Sequence, residues 1–252
     1  MMQHPIAVQM YSVREAARQD LLEALRRVAK IGYGGIELAG LFGQSPQHVA
    51  QTLQELNLQC VGSHVPLQEL QNNLSSVIDT HHQLEAKFLA CPWLPPELRQ
   101  DETGYRKLAQ DLNYIGERCH ANGLTFCYHN HDFEFAKFGD KFALDILLEQ
   151  TDPAYVQFEP DCYWIRFVGL DPAEYIRRWQ GRTPLVHLKD MTATSPPTSA
   201  EVGNGILNWP TIFEAAQEGQ AQWYIVEQDE SAGDPFESIE QSFNNLKNLL
   251  RG

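Results

Sequence analysis

The sequence predicts a (β/α)8 barrel, and three observations carry that expectation. Short apolar runs rich in β-forming residues alternate strictly with amphipathic helical stretches, eight of each. The length, 252 residues, is that of a typical barrel of this kind. No linker rich in Gly, Ser or Pro interrupts the alternation, so one domain over residues 1–252 accounts for the whole chain. A doubly wound open sheet is the alternative. Its usual signals are missing, because the first strand-to-helix turn, YSVREAARQD, lacks GxGxxG and the chain holds no GxxxxGK[ST].

The first unit pairs IAVQMYSV (6–13) with DLLEALRRVAKIGYGG, where Leu21, Leu22, Leu25, Val28 and Ala29 share a helical face and Gly32 ends the helix. GIELAG (35–40) leads into SPQHVAQTLQELN, with Ser45 placed to cap and Pro46 at the first helical position. CVGSHVP (60–66) precedes a helix over about 67–85, where His81 and His82 are expected on a solvated face. KFLACPW (87–93) is followed by GYRKLAQDLNYIGERCHANG, and LTFCYHNH (124–131) by KFALDILLEQ. The last three units are VQFEPDCYW (156–164) with DPAEYIRRWQ, LVHLKDM (185–191) with NWPTIFEAAQ, and WYIVEQD (223–229) with PFESIEQSFNNLKNLL.

Composition excludes several function classes. Nineteen Lys and Arg stand against 33 Asp and Glu, a formal charge of −14 that repels a phosphate backbone, so nucleic acid is not an expected partner. Five dispersed cysteines without a CxxC pair fit a reduced, cytoplasmic protein, and Cys91, Cys127 and Cys162 read as small buried hydrophobes. No apolar run reaches the ~20 residues that span a bilayer, so no membrane association is expected.

Function in such a barrel is expected at the C-terminal ends of the strands. Period-two alternation puts Cys127, His129 and His131 on one face of the fifth strand, with Glu134 just beyond it. Glu159 and Asp161 share a face in the sixth strand, His187 and Lys189 in the seventh, and Glu227 and Asp229 in the eighth. A lone polar residue at such a position is more often a hydrogen-bonded structural group than a ligand. Four converging strands weigh more, since their carboxylates repel one another unless a cation sits between them. Glu134, Asp161, His187 and Glu227 together form a mainly oxygen donor set suited to one divalent ion, Mn²⁺ or Mg²⁺ first, then Co²⁺ or Zn²⁺. Glu37, late in the second strand, admits two readings equally: a structural pairing or a polar contact in the site.

VQMYSVR, GYGGIEL, YHNHDFEF, FEPDCYW, HLKD, GNGILNW and IVEQD, spread over nearly the whole chain, together resemble the xylose isomerase-like TIM-barrel superfamily, in its sugar (phosphate) isomerase/epimerase branch. The resemblance implies a single divalent metal on Glu134, Asp161, His187 and Glu227, the set already drawn from the strands. It further implies that the two glutamates form the acid/base pair, and that oligomers are homodimers or homotetramers. Ketose 3-epimerases of this superfamily carry a His three residues after the metal Asp and an Arg soon after the metal His. This chain has Trp164 and Lys189 instead, which directs the expectation toward the inosose dehydratase-like and keto-glycoside epimerase-like members.

The mechanism expected on that basis is proton abstraction next to a carbonyl of a small sugar or keto-polyol, through a metal-stabilised enediolate, with Glu134 and Glu227 as the catalytic pair. His64, His129, His131 and Lys189 are expected to contact the substrate. Tyr11, Arg14 and Trp164 are expected to close the pocket, Arg14 facing any anionic group. The same enolate can instead expel a β-hydroxyl, which makes a dehydratase the alternative reaction. An endonuclease IV-like repair enzyme is disfavoured by the charge, and a non-catalytic sugar-binding module by the complete ligand set.

Overall fold

The wall of the barrel is made of eight parallel strands: β1 (Ile6–Gln9), β2 (Gly35–Leu38), β3 (Gln59–His64), β4 (Phe88–Cys91), β5 (Thr125–His129), β6 (Val156–Glu159), β7 (Leu185–Leu188) and β8 (Trp223–Val226). The computed structural model describes residues 5–251. Hydrogen-bonded neighbours run in the order β6, β5, β4, β3, β2, β1, β8, β7. Between β6 and β7 the ladder is reduced to one parallel bridge, Asp161 with His187, reinforced by the His187 amide donating to the Pro160 carbonyl at 2.9 Å. The ring is thereby nearly closed at this seam.

Among the described residues, ten helices pack outside: α1 (Arg14–Gln19), α2 (Leu21–Ile31), α3 (Pro46–Glu55), α4 (Leu67–Gln83), α5 (Glu102–Ala121), α6 (Ala143–Gln150), α7 (Cys162–Phe167), α8 (Pro172–Arg178), α9 (Trp209–Glu218) and α10 (Pro235–Leu249). Ser45 caps α3 by accepting from the His48 amide, with Pro46 at the first turn, as its sequence predicts. Gly32 ends α2 at φ 110°, a left-handed cap that suits glycine.

The strands are shorter than the apolar runs suggest. Met10–Val13 is a 3-10 turn leading into the extra helix α1, and α7 begins directly after Asp161. Trp164 therefore lies on a helix and not in a strand. Two small hairpins, Lys137–Phe138 with Lys141–Phe142 and Asp190–Met191 with Ser199–Ala200, decorate the C-terminal rim. His81, expected on a solvated face, is buried in α4: Nε2 meets Ser63 Oγ at 2.9 Å and Nδ1 donates to the Val77 carbonyl at 2.7 Å. Its neighbour His82 is exposed, as expected. All five cysteines are buried and unpaired.

The barrel interior is layered. Ala7, Val61, Phe88, Ala90, Cys127, Leu185, Trp223 and Ile225 fill its lower part as one apolar cluster. Small residues make room for the two large rings. A Cβ on Gly35 would lie 2.9 Å from Trp223, and one on Gly62, where β3 shifts register against β2, would lie 2.5 Å from the Phe88 carbonyl oxygen. Above this cluster the period-two alternation brings Gln9, Glu37, His129, Glu159 and His187 to the next inward positions, all fully or almost fully buried. An apolar floor under a polar layer is the foundation of the site.

Candidate metal centre

Two overlapping groups of donors, each with all its ligand atoms within 4.8 Å of one another, occupy this polar layer. The outer one joins His129, Asp161, His187 and Glu227; the deeper one joins His64, His129, Glu159 and His187. Donors on opposite sides of an ion with bonds of ~2.1 Å stand ~4.2 Å apart, so either spacing accommodates a cation with small adjustments.

Each outer donor is held by its own element. His129 is the last residue of β5, and His187 lies inside β7. Asp161 is the N-cap of α7, its Oδ1 accepting from the Trp164 amide at 3.0 Å while its own amide donates to Asn130 Oδ1 at 3.0 Å. Asn130 is thus the local support that links the end of β5 to Asp161. Oδ2 of Asp161 is buried with no hydrogen-bond partner, an open lone pair aimed among imidazoles and carboxylates. Glu227 follows β8, with Oε2 3.1 Å from His187 Nδ1.

Beside the deeper group, Glu37 Oε2 accepts from Gln9 Nε2 at 2.7 Å and lies 2.8 Å from His187 Nε2. His64 Nε2 lies 3.2 Å from Glu37 Oε2 and 3.1 Å from Glu159 Oε2, spanning the two carboxylates. The His64 ring stacks on that of His187, 5.3 Å away and 11° from parallel. Glu37, for which the sequence admits a pairing or a site contact, is paired with Gln9, His64 and His187 and lines no part of the cavity above.

The electrostatics follow from these pairings. Burial pushes the Glu37 and Glu159 carboxyls up, but the imidazoles beside them prevail, and Glu159 comes down to about 2 while Glu37 falls well below its usual range. Burial lowers His64, yet Glu37 and Glu159 raise it to about 10. His129, dominated by burial and by the neighbouring His187, is pushed well below its usual value. Asp161 rises to about 7 because burial outweighs the attraction of Lys189.

A cavity of about 570 Å³ opens above this layer. Its wall includes Tyr11, Arg14, His64, His129, His131, Trp164, Glu227 and Asp229, all singled out in the sequence, and also Trp93, which the sequence does not single out. Tyr11 and Trp93 are 40% and 45% exposed, large rings left facing solvent at the mouth. Arg14 stacks over Tyr11 at 4.3 Å and donates to the Asp229 carbonyl at 2.9 Å, tying α1 to the chain after β8. The His131 ring packs parallel to Phe133 and against Trp164, with Nδ1 buried and unpartnered.

Two expected residues stand elsewhere. Lys189 is buried behind the wall, where its ammonium donates to Asp229 at 2.5 Å and lies 3.8 Å from both Asp161 and Glu227. Glu134, expected as both ligand and proton carrier, belongs to neither donor group. The chain after β5 turns into the 3-10 segment Phe133–Phe135, which carries this carboxylate away from the barrel axis. There Oε1 accepts from Tyr128 Oη at 2.5 Å and Oε2 from the His131 amide at 2.9 Å. His129 supplies the fifth-strand donor instead. The signal for it is the inward alternation that ends on His129, which cannot be extended into a turn.

The model of the xylose isomerase-like TIM barrel matches residues 25–249. The chain belongs to this family. Among curated members, an inosose dehydratase from Geobacillus kaustophilus is 24% identical over 85% of this chain and 82% of its own length. Among solved structures, a sugar phosphate isomerase/epimerase from Parabacteroides distasonis superposes with a TM-score of 0.84 at 24% identity, covering 98% of this chain and 94% of that one. The IOLI protein, solved with a bound zinc atom, gives a TM-score of 0.77 at 14% identity over 98% of both chains. At such identities the structural likenesses establish the fold. The metal-binding potential of this family member rests on its own buried His, Asp and Glu cluster.

Proposed function

We propose that this chain is a divalent-metal-dependent enzyme that removes a proton from a carbon next to a carbonyl in a small keto-sugar or keto-polyol, and acts as an isomerase or epimerase by returning it. The observation that carries this reading is the outer donor group, His129, Asp161, His187 and Glu227, of which His129 and Glu227 line a cavity of about 570 Å³. The open lone pair of Asp161 fits a cation there. Two imidazoles with two carboxylates favour Mn²⁺, Co²⁺ or Zn²⁺ over Mg²⁺, which prefers an all-oxygen shell. When bound, the ion supplies Lewis-acid stabilisation of negative charge developing on the carbonyl oxygen.

The residues of the chain do the rest. Trp164, Tyr11 and Trp93 offer flat apolar faces to a sugar ring and exclude water from its reacting edge. Glu227 and His131, the latter with an unpartnered Nδ1, both line the cavity and in this reading are the two groups that hold the proton. His131 thus takes the part that the sequence suggests for Glu134. Lys189 holds Asp229 and neutralises charge behind Glu227.

Dehydration is the second reading, favoured by the inosose dehydratase names of the curated relatives. It begins with the same proton removal and ends with loss of a β-hydroxyl. Incubating the metal-loaded protein in D2O with an inosose and a panel of ketohexoses separates the outcomes by mass. Deuterium uptake without loss of water supports isomerisation or epimerisation, and loss of water supports the dehydratase. Neither change with any of these compounds overturns the shared proton-transfer step.

A further inference from the structure

The two donor groups share His129 and His187, and the nitrogens of each ring are divided between them. His187 turns Nδ1 to Glu227 at 3.1 Å, while its Nε2 lies 2.8 Å from Glu37 and 3.4 Å from Glu159. His129 turns Nε2 toward Asp161 at 3.8 Å, while its Nδ1 lies 3.3 Å from Glu159. In both rings one nitrogen faces the outer group and the other a deep carboxylate.

We infer that Glu37 and Glu159 are positioning residues, which fix the tautomer and orientation of His187 and His129 so that Nδ1 of His187 and Nε2 of His129 are presented to the cation. This rests on the metal site proposed above. A ligating imidazole must be neutral, with its proton on the nitrogen away from the ion, and a carboxylate at that nitrogen selects this form. The contacts distinguish the layers. Glu37 Oε2 is already engaged by Gln9 and His187, and His64 spans Glu37 and Glu159, whereas Asp161 Oδ2 has no hydrogen-bond partner. The His129 to Glu159 contact lacks hydrogen-bond geometry in this structure, and a small turn of the ring completes it. Glu37 Oε1 and Glu159 Oε1 are also unpartnered, which makes a cation in the deep group the rival arrangement.

The test compares the full-length wild type with Glu37→Gln, Glu159→Gln, Glu159→Ala and Asp161→Asn. Zn²⁺ affinity and stoichiometry are measured by chelator competition, and imidazole tautomers by long-range ¹H–¹⁵N NMR of the zinc-loaded protein. Expected are one ion per chain, affinity weakened ~10–100-fold in the Glu37 and Glu159 variants, partial rescue of Glu159→Ala by Glu159→Gln, and an altered His129 tautomer signature in Glu159→Ala. Should the alanine variant not fold, the isosteric glutamine variants decide by affinity and tautomer alone. Unchanged affinity and tautomers in those variants overturn the positioning role. Two ions per chain, or loss of binding in Glu159→Gln as complete as in Asp161→Asn, makes Glu159 a ligand rather than a support and also overturns it. Full affinity in Asp161→Asn instead strikes the outer site itself, so the two failures are distinguishable.

Discussion

Glu134 shows how much one carboxyl group depends on the direction in which the chain carries it. Burial drives its pKa up from 4.5 to about 8, against the opposing hydrogen bonds from Tyr128 and the His131 amide. Its folded value is therefore above its unfolded one, so the folded protein holds a proton that the unfolded chain releases. The associated stability is present in full below about pH 4.5 and is lost as pH rises through about 8. Wild-type unfolding midpoints in urea are expected to fall between pH 5 and 8 relative to those of Glu134→Gln, which lacks this proton. Glu134→Gln is also expected to retain full metal stoichiometry, because the carboxylate lies outside both donor groups. Glu134→Ala leaves the Tyr128 hydroxyl and the His131 amide unpaired and is expected to cost ~1–3 kcal/mol in the same urea titration. From sequence, period-two reading reaches His129 correctly and fails one turn later. A 3-10 segment has no inward and outward faces of that kind, and nothing in FEF announces it.

At the level of elements, the alternation of eight strands with helices is legible because each strand is bounded by polar or turn residues and each helix carries an apolar stripe. Boundaries are less so. IAVQMYSV and VQFEPDCYW read as strand runs, but their later parts are a 3-10 turn and α7. The apolar residues there pack between strand and helix, and side-chain character alone does not separate the two arrangements. A histidine on a helix is ordinarily wet, and the burial of His81 depends on Ser63 across the interface, which its own segment does not reveal. The register shift at β2 and β3 is likewise invisible in sequence, but Gly62 marks it. Gly62→Ala presses a methyl against the Phe88 backbone, which cannot rotate away, and a loss on the order of 1–3 kcal/mol is expected from chemical denaturation. Asn130→Ala removes the acceptor for the Asp161 amide. It is expected to weaken Zn²⁺ binding at equilibrium dialysis while leaving far-UV circular dichroism unchanged.

For the whole molecule, the family suggests a small sugar-like substrate, and the acidic balance disfavours a phosphate backbone as partner. No described helix is long and apolar enough to cross a membrane. A ligand that binds only the folded state adds RT ln(1 + [L]/Kd), about 2.7 kcal/mol at a hundredfold excess over Kd. Chelation is accordingly expected to lower the thermal midpoint, with recovery on adding back Mn²⁺ or Zn²⁺. The interval between β6 and β7 gives that effect a location. Asp161 and His187 stand on opposite sides of it and share its single bridge, so an ion gripped by both acts as a rivet through the last open joint of the wall. Loading the metal should slow amide hydrogen exchange most in β6 and β7, leaving the opposite side around β2 and β3 little altered. Catalysis and the integrity of the ring would then be governed by one occupancy, and a chain stripped of its ion would lose both together.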